Sequence, residues 1–168
     1  YDTQILERAE AQGALVVNRP AALRDANEKL FTALFPQCCP PTLVSRLPAD
    51  LRGFVEEHGA SVAKVLDSMG GTSILRVNLD DPILNVIFET VTQDGTRAAL
   101  IQRYIPEIVD GDKRILMIDG EPVPYALARS PRAGEFRGNL AKGGSGRGQP
   151  LSERDRWICG EVGPELKR

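Results

Sequence analysis

Histidine is almost missing from this chain of 168 residues: His58 is the one example. It stands in Glu-Glu-His-Gly at the end of a helical pattern, where capping or a favourable charge beside the helix dipole accounts for it. Histidine-based nucleophilic chemistry and histidine-bound zinc are therefore nearly excluded. Cysteine is also scarce. Of three in all, Cys38 and Cys39 are adjacent, and no Cys-x-x-Cys spacing offers a metal site or a secreted disulfide framework. Adjacent cysteines are poorly placed to bridge each other, so they read as two small buried or half-buried side chains in a reducing compartment, and a cytoplasmic location is expected. No stretch approaches the roughly 20 apolar residues of a membrane helix. Charge of one sign is lacking too. The 21 basic residues are mixed with 23 acids for a net charge of -2, which argues against a general nucleic-acid binder. The chain opens at Tyr1-Asp2-Thr3 with neither an initiator Met nor a signal-peptide layout, so a piece of something longer is expected.

Glycine and arginine, by contrast, are concentrated. From Arg129 to Gly148 the sequence carries five basic residues and six glycines against a single acid, Glu135. No buried strand or regular helix is expected there, because glycine costs about 1 kcal/mol relative to alanine in a helix and admits many backbone angles. Either a disordered linker or a lid whose amides and guanidinium groups close over an anion fits this composition. The lid is favoured by position: a hairpin signal precedes the segment, and Leu151, Trp157, Ile158 and Val162 resume a helical pattern after it.

Taken from the start, Ile5, Leu6 and Ala9 predict a helix stopped at Gly13, and Leu15-Val16-Val17 a short strand. A second helix is expected to carry Leu23, Ala26, Leu30, Phe31 and Leu34 on one face. Pro36, Pro40 and Pro41 break the chain before an extended Thr42-Leu43-Val44. Pro48 then opens a helix with Leu51, Phe54 and Val55 that ends at His58-Gly59. In the strand that follows, Val62, Lys64 and Leu66 share one face and Ala63 and Val65 the other, placing a charge inside an apolar strand. Such a charge needs a partner. Lys64 is followed by Asp67-Ser68-Met69-Gly70-Gly71-Thr72-Ser73 and a returning strand, Ile74 to Val77. The arrangement resembles a phosphate cradle, though not the Gly-x4-Gly-Lys-Ser/Thr loop; a plain hairpin turn with Lys64 reaching solvent is the alternative.

Asp80-Asp81-Pro82 signals another helix, with Ile83, Val86, Ile87, Thr90 and Val91 at helical spacing and Gly95 at its end. Ala98 to Ile105 is extended and reads either as a hinge that holds a flat heterocycle or as an ordinary edge strand. Asp119-Gly120 is a strong hairpin signal between Ile115–Ile118 and Val123–Arg129. It places Arg114 and Arg129 at corresponding ends of the pair, suited to a phosphate or carboxylate or to salt bridges with Asp110, Asp112 or Glu121. Ser152 is expected to cap a final helix. The surplus polar equipment is thus cationic and backbone-rich, as transfer of phosphoryl groups requires, and no acidic cluster for magnesium is evident.

The segments Asn27-Glu-Lys-Leu-Phe-Thr-Ala33, Lys64-Val-Leu-Asp-Ser-Met-Gly-Gly-Thr-Ser-Ile74, Asp110-Gly-Asp-Lys-Arg114, Asp119-Gly-Glu-Pro-Val-Pro-Tyr125 and Arg137-Gly-Asn-Leu-Ala-Lys-Gly-Gly144 resemble bacterial glutathione synthetase, of the ATP-grasp fold. The resemblance runs in order through essentially the whole chain. It implies an α/β (α+β) ATP-grasp fold, incomplete as given. Residues 1–25 would be the end of a preceding domain, 26–104 the small nucleotide-binding lobe, and 105–168 part of the large lobe with the lid at 129–148. It implies an ATP-dependent ligase joining γ-glutamylcysteine to glycine through an acyl phosphate, with magnesium, or manganese in its place, and a homo-oligomer, a tetramer, for the full-length protein. Another ATP-grasp carboxylate-amine ligase and a non-catalytic nucleotide-binding module are the alternatives.

By match of motif, Lys29, Lys64, Met69, Gly70 and Gly71 would handle the nucleotide phosphates. Gln102, Arg103, Tyr104 and Ile105 would hold adenine, with Asp112 close to the nucleotide. Arg114, Arg129 and Arg137 would face the transferred phosphate or the peptide, and the metal ligands would lie beyond Arg168. The chain departs from the family at Val65, where proline is common.

Overall fold

The computed structural model describes residues 1–68, 73–130 and 143–167. Its first sheet is built from short apolar-rich runs that each carry one or two polar residues. The strands are β1 (Thr42–Ser45), β2 (Ser61–Val65), β3 (Ile74–Val77) and β4 (Ala99–Arg103), in the spatial order β1-β4-β2-β3 with every neighbouring pair antiparallel. The helix α3 (Pro48–His58) links β1 to β2, and α4 (Leu84–Thr92) links β3 to β4. β4 thus lies between β1 and β2, and β2 lies between β3 and β4, so two β-α-β units interleave. β4 is interior, which settles the alternative of an edge strand.

Both helices pack on one face of this sheet. Leu51, Phe54 and Val55 of α3 and Leu84, Phe88 and Val91 of α4 close over Ala63, Val77, Ala99 and Ile101. Full burial of a side chain such as Phe88 or Leu51 contributes about 1.5–3 kcal/mol. Strand alternation then sends Thr42, Gln102 and Lys64 to the opposite face. Pro48 at the first turn and Gly59 at positive φ (71°) delimit α3 as the sequence signals.

The second sheet is a meander of β5 (Asp112–Ile118), β6 (Glu121–Ser130) and β7 (Ser145–Pro150), turned at Asp119-Gly120 with both residues at positive φ. α5 (Glu153–Lys167) lies across it. Ser152 caps α5 reciprocally: the Asp155 amide donates to Ser152 Oγ (3.1 Å), and the Ser152 amide donates to Asp155 Oδ2 (2.8 Å). Asp155 Oδ2 also meets Lys113 Nζ at 2.7 Å, tying the helix start to β5. Farther along, a Cβ on Gly163 would stand 2.2 Å from the Gly120 carbonyl oxygen. Helix and hairpin turn touch backbone to backbone there.

Several sequence expectations are corrected. Leu15-Val16-Val17 is no strand; Leu15 and Val17 are 92% and 83% exposed, and among the described residues no strand pairs with them. The expected helix through Leu34 is two pieces, α2 (Pro20–Asp25) and a 3-10 helix, Leu30–Leu34. Between them Asn27 Oδ1 accepts from the Lys29 and Leu30 amides, each at 3.0 Å, replacing helical hydrogen bonds with local ones. In α4 the buried positions are Leu84, Phe88, Val91 and Thr92, while Ile83 and Val86 are exposed. Its apolar face runs through Leu84, Ile87, Phe88 and Val91, with Asn85 and Glu89 away from the core and Val86 outside the stripe.

Residues 145–148, expected as loop, belong to β7, which pairs with β6 from Ser130↔Ser145 to Tyr125↔Pro150. A mostly exposed edge strand is held by its backbone and needs few side chains. The helical pattern carried by Trp157, Ile158 and Val162 is α5, whose buried positions are Asp155, Cys159 and Gly163. Arg114 lies opposite Leu127, and Arg129 lies opposite Asp112, so the two arginines are not at matching ends. α1 (Asp2–Ala11) forms as expected.

Candidate functional site

Lys64 finds its partner across the sheet. Its Nζ donates to Gln102 Oε1 at 2.9 Å, and Gln102 Nε2 donates to Thr42 Oγ1 at 2.8 Å, so one polar line crosses β2, β4 and β1. Among the described residues, no carboxylate lies within ion-pair range of Lys64. Burial pushes its pKa down, and the Lys29 charge adds to that; the Cys39 thiol, whose own pKa is raised by burial, opposes it.

Lys29 stands beside the end of β2. Its side chain is only 11% exposed. Nζ donates to the backbone carbonyls of Ser68 and, at 3.4 Å, Leu66, and meets the exposed Glu28 at 2.9 Å. Asn27 ties the same two segments together, because its Nδ2 donates to the Leu66 carbonyl at 3.1 Å while its Oδ1 holds the Lys29 amide. Two cations are thus presented at the entrance to the loop after β2, Lys64 without an acidic partner. Neither Asn27 nor Thr42 was among the residues expected from sequence; the signal for Asn27 was the helix-capping pattern Asn-Glu-Lys-Leu.

β4 ends one residue beyond Gln102, at Arg103. The Arg103 amide donates to the Pro41 carbonyl (3.0 Å) and the Tyr104 amide to the Ala60 carbonyl (2.9 Å). The Ile105 amide has no hydrogen-bond partner among the described residues. The Arg76 guanidinium sits 4.2 Å from the Tyr104 ring centroid, a cation-π contact that steadies this end of the strand.

A second cluster forms at the base of the hairpin. Arg129 Nε and Nη2 donate to Asp112 Oδ1 and Oδ2, both at 2.7 Å, with the Arg129 side chain 12% exposed. The bidentate hydrogen bonds to Asp112 raise the arginine's pKa further. Arg114 is exposed on the same face, two positions along β5. The structure therefore groups Lys29, Lys64 and Gln102 in one place and pairs Asp112 with Arg129 in another. Met69, Gly70, Gly71, Arg137 and most of the expected lid fall outside the described residues. Among those described, no three His, Cys, Asp or Glu side chains are grouped to hold a metal ion, and no helix is long and apolar enough to cross a membrane.

Residues 28–168 match the family model for the ATP-grasp domain of prokaryotic glutathione synthetase. This chain belongs to the prokaryotic glutathione synthetase ATP-grasp family. The glutathione synthetases of Xanthomonas campestris pv. campestris and Pseudomonas aeruginosa are each 63% identical to it, over 100% and 99% of the chain. The chain spans about half the length of these curated relatives, 53% of each. Among solved structures, it is similar to D-cycloserine synthetase DcsG (TM-score 0.72, 15% identity, covering 98% of this chain and 59% of that one). It is also similar to the ATP-grasp ligase PsnB complexed with minimal precursor, Mg and ADP (TM-score 0.63, 18% identity, 98% and 50%). At those identities the structures speak for the ATP-grasp fold alone. The family resemblance read from the motifs is thereby confirmed.

Proposed function

We propose that this chain is the nucleotide-handling part of a glutathione synthetase, which ligates γ-glutamylcysteine to glycine with ATP through an acyl phosphate, releasing ADP and phosphate. The observation that carries the reading is Lys64, a partly buried cation held by a neutral amide with no acid beside it among the described residues. Such a charge is costly in the empty protein and is used when a phosphate arrives. Lys29, at the adjoining carbonyls, is the second phosphate-facing cation. The free Ile105 amide, next to two amides already engaged, suits a ring nitrogen of adenine, with Gln102 to Tyr104 forming the wall of the slot.

A carboxylate is a poor electrophile until its oxygen takes the γ-phosphoryl group, and the resulting acyl phosphate must meet the glycine amine before it meets water. A closing lid at 129–148, where Arg137 lies, would exclude water, and Arg129 and Arg114 would face the transferred group or the peptide. Asp112 holds Arg129 rather than standing free for the nucleotide. A divalent cation, magnesium or manganese, travels with ATP; the described residues build no site for it, and its ligands are proposed to lie beyond Arg168. The lobes are proposed at 26–104 and 105–168, with 1–25 closing a preceding domain, in a cytoplasmic homo-oligomer.

Product analysis tests this directly. The full-length protein given ATP, magnesium, γ-glutamylcysteine and glycine is expected to form glutathione and ADP in equal amounts, and to lose this in Lys64→Met. ADP formation without glutathione, or glutathione formation unaffected by Lys64→Met, would sink the reading.

A further inference from the structure

We propose, resting on the nucleotide reading of Lys64, that Thr42 is a positioning residue for the ligase: it sets which end of the Gln102 amide faces Lys64. Thr42 and Gln102 are direct cross-strand partners on β1 and β4. Gln102 also pairs with Val62, two positions before Lys64 on β2, so the three polar side chains share one face.

The donors and acceptors then admit one direction only. The Thr42 hydroxyl donates to the Pro40 carbonyl at 2.8 Å, a group that can only accept. With its proton spent, the Thr42 oxygen accepts from Gln102 Nε2 at 2.8 Å. An amide whose NH2 end is held at Thr42 presents its oxygen on the other side, where Lys64 Nζ donates at 2.9 Å. Lys64 has donors and no acceptor, so the opposite amide orientation would set NH2 against an ammonium.

A fixed carbonyl oxygen does something an acidic partner could not. It holds the ammonium in place without neutralising it, leaving its whole charge for a phosphate. Pro40, the end of the line, lies in the rigid Pro40-Pro41 segment, so the direction of the whole line is set from a stiff backbone carbonyl.

The test uses the full-length protein, with ATP affinity by calorimetry and steady-state constants for all three substrates. Thr42→Val keeps the volume and removes the hydroxyl. It is expected to weaken ATP binding and raise the KM for ATP about tenfold, the effect of stranding one hydrogen-bonding group, with the KM for glycine unchanged. Thr42→Ser, which keeps the hydroxyl, is expected to restore both. Thr42→Val with wild-type ATP affinity, or Thr42→Ser as impaired as Thr42→Val, overturns the positioning role. Lys64→Met separates the two layers: if it leaves ATP affinity intact, the nucleotide reading itself fails. If it abolishes binding while Thr42→Val does not weaken it, only the role of Thr42 fails.

Discussion

Replacing Gly163 with alanine is expected to destabilise the protein, although the residue lies inside a helix. Glycine to alanine in a helix interior ordinarily gains about 1 kcal/mol. Here the new Cβ would lie 2.2 Å from the Gly120 carbonyl oxygen and 3.2 Å from Met117 Cε. Met117 can swing away; a backbone carbonyl in a hairpin turn cannot. Overpacking of this kind costs about 1–3 kcal/mol and, for a rigid contact, exceeds the propensity gain. Gly160 is the internal control: it is in the same helix, and nothing lies within 4 Å of its Cβ position. Thermal melts are expected to move upward for Gly160→Ala and downward for Gly163→Ala, by about 2–4 °C per kcal/mol for a chain of this size. Equal stabilisation by both alanines would refute the backbone contact. It would also remove the reason given for how α5 fixes the hairpin that carries Asp112, Arg114 and Arg129.

Four further outcomes are expected. Lys64→Met is expected to raise stability at neutral pH while removing ATP affinity, since the lowered Lys64 pKa means that the charge opposes folding below that pKa. The wild-type stability should accordingly recover as pH rises through it toward the unfolded value of about 10.4, a limb that calorimetric melts of Lys64→Met should lack. For Asp155, burial raises the pKa, but hydrogen bonds from Lys113 and Ser152 outweigh it and leave the pKa lowered. Its contribution is therefore complete above the unfolded carboxylate value of about 3.9 and is lost as pH falls through the folded one; Asp155→Asn should flatten the acid limb of stability and cost on the order of 1–2 kcal/mol at pH 7 through the weakened cap. Asn27→Ala, which removes the hydrogen bonds to the Leu66 carbonyl and from the Lys29 and Leu30 amides together, is expected to weaken ATP binding several-fold through the displaced Lys29, measured by calorimetry. A double-mutant cycle on Arg129→Met and Asp112→Asn should show coupling of about 1–3 kcal/mol in denaturant melts, and additive effects would mean that the pair is only a surface contact.

Much of the fold was legible because its signals are local. Pro48 and Gly59 mark the ends of α3, Asp119-Gly120 marks the hairpin, and Ser152 with Asp155 marks the start of α5. The failures came where local pattern competes with packing. Leu15 to Val17 has strand residues and, among the described residues, no strand to pair with. Residues 145–148 have glycines that argue against a strand and a neighbour, β6, that makes one. In α4 the expected stripe took in Ile83 and Val86, whereas the helix packs through Leu84, Ile87, Phe88 and Val91.

For the site, the amino-acid order by itself determined which chemistry is available: cations with little histidine and no acidic cluster, a lysine inside an apolar strand, and motif runs long enough to identify the family. It also determined that Lys64 would need a partner. Only the tertiary structure decided what that partner is, because Gln102 lies 38 residues away and Thr42 lies 60 from Gln102. Their meeting depends on β4 being threaded between β1 and β2. The same holds for Arg129, which carries the same charge as Arg114 yet is committed to Asp112 by register. Residue type sets what a side chain can do; strand order and register set what stands opposite it.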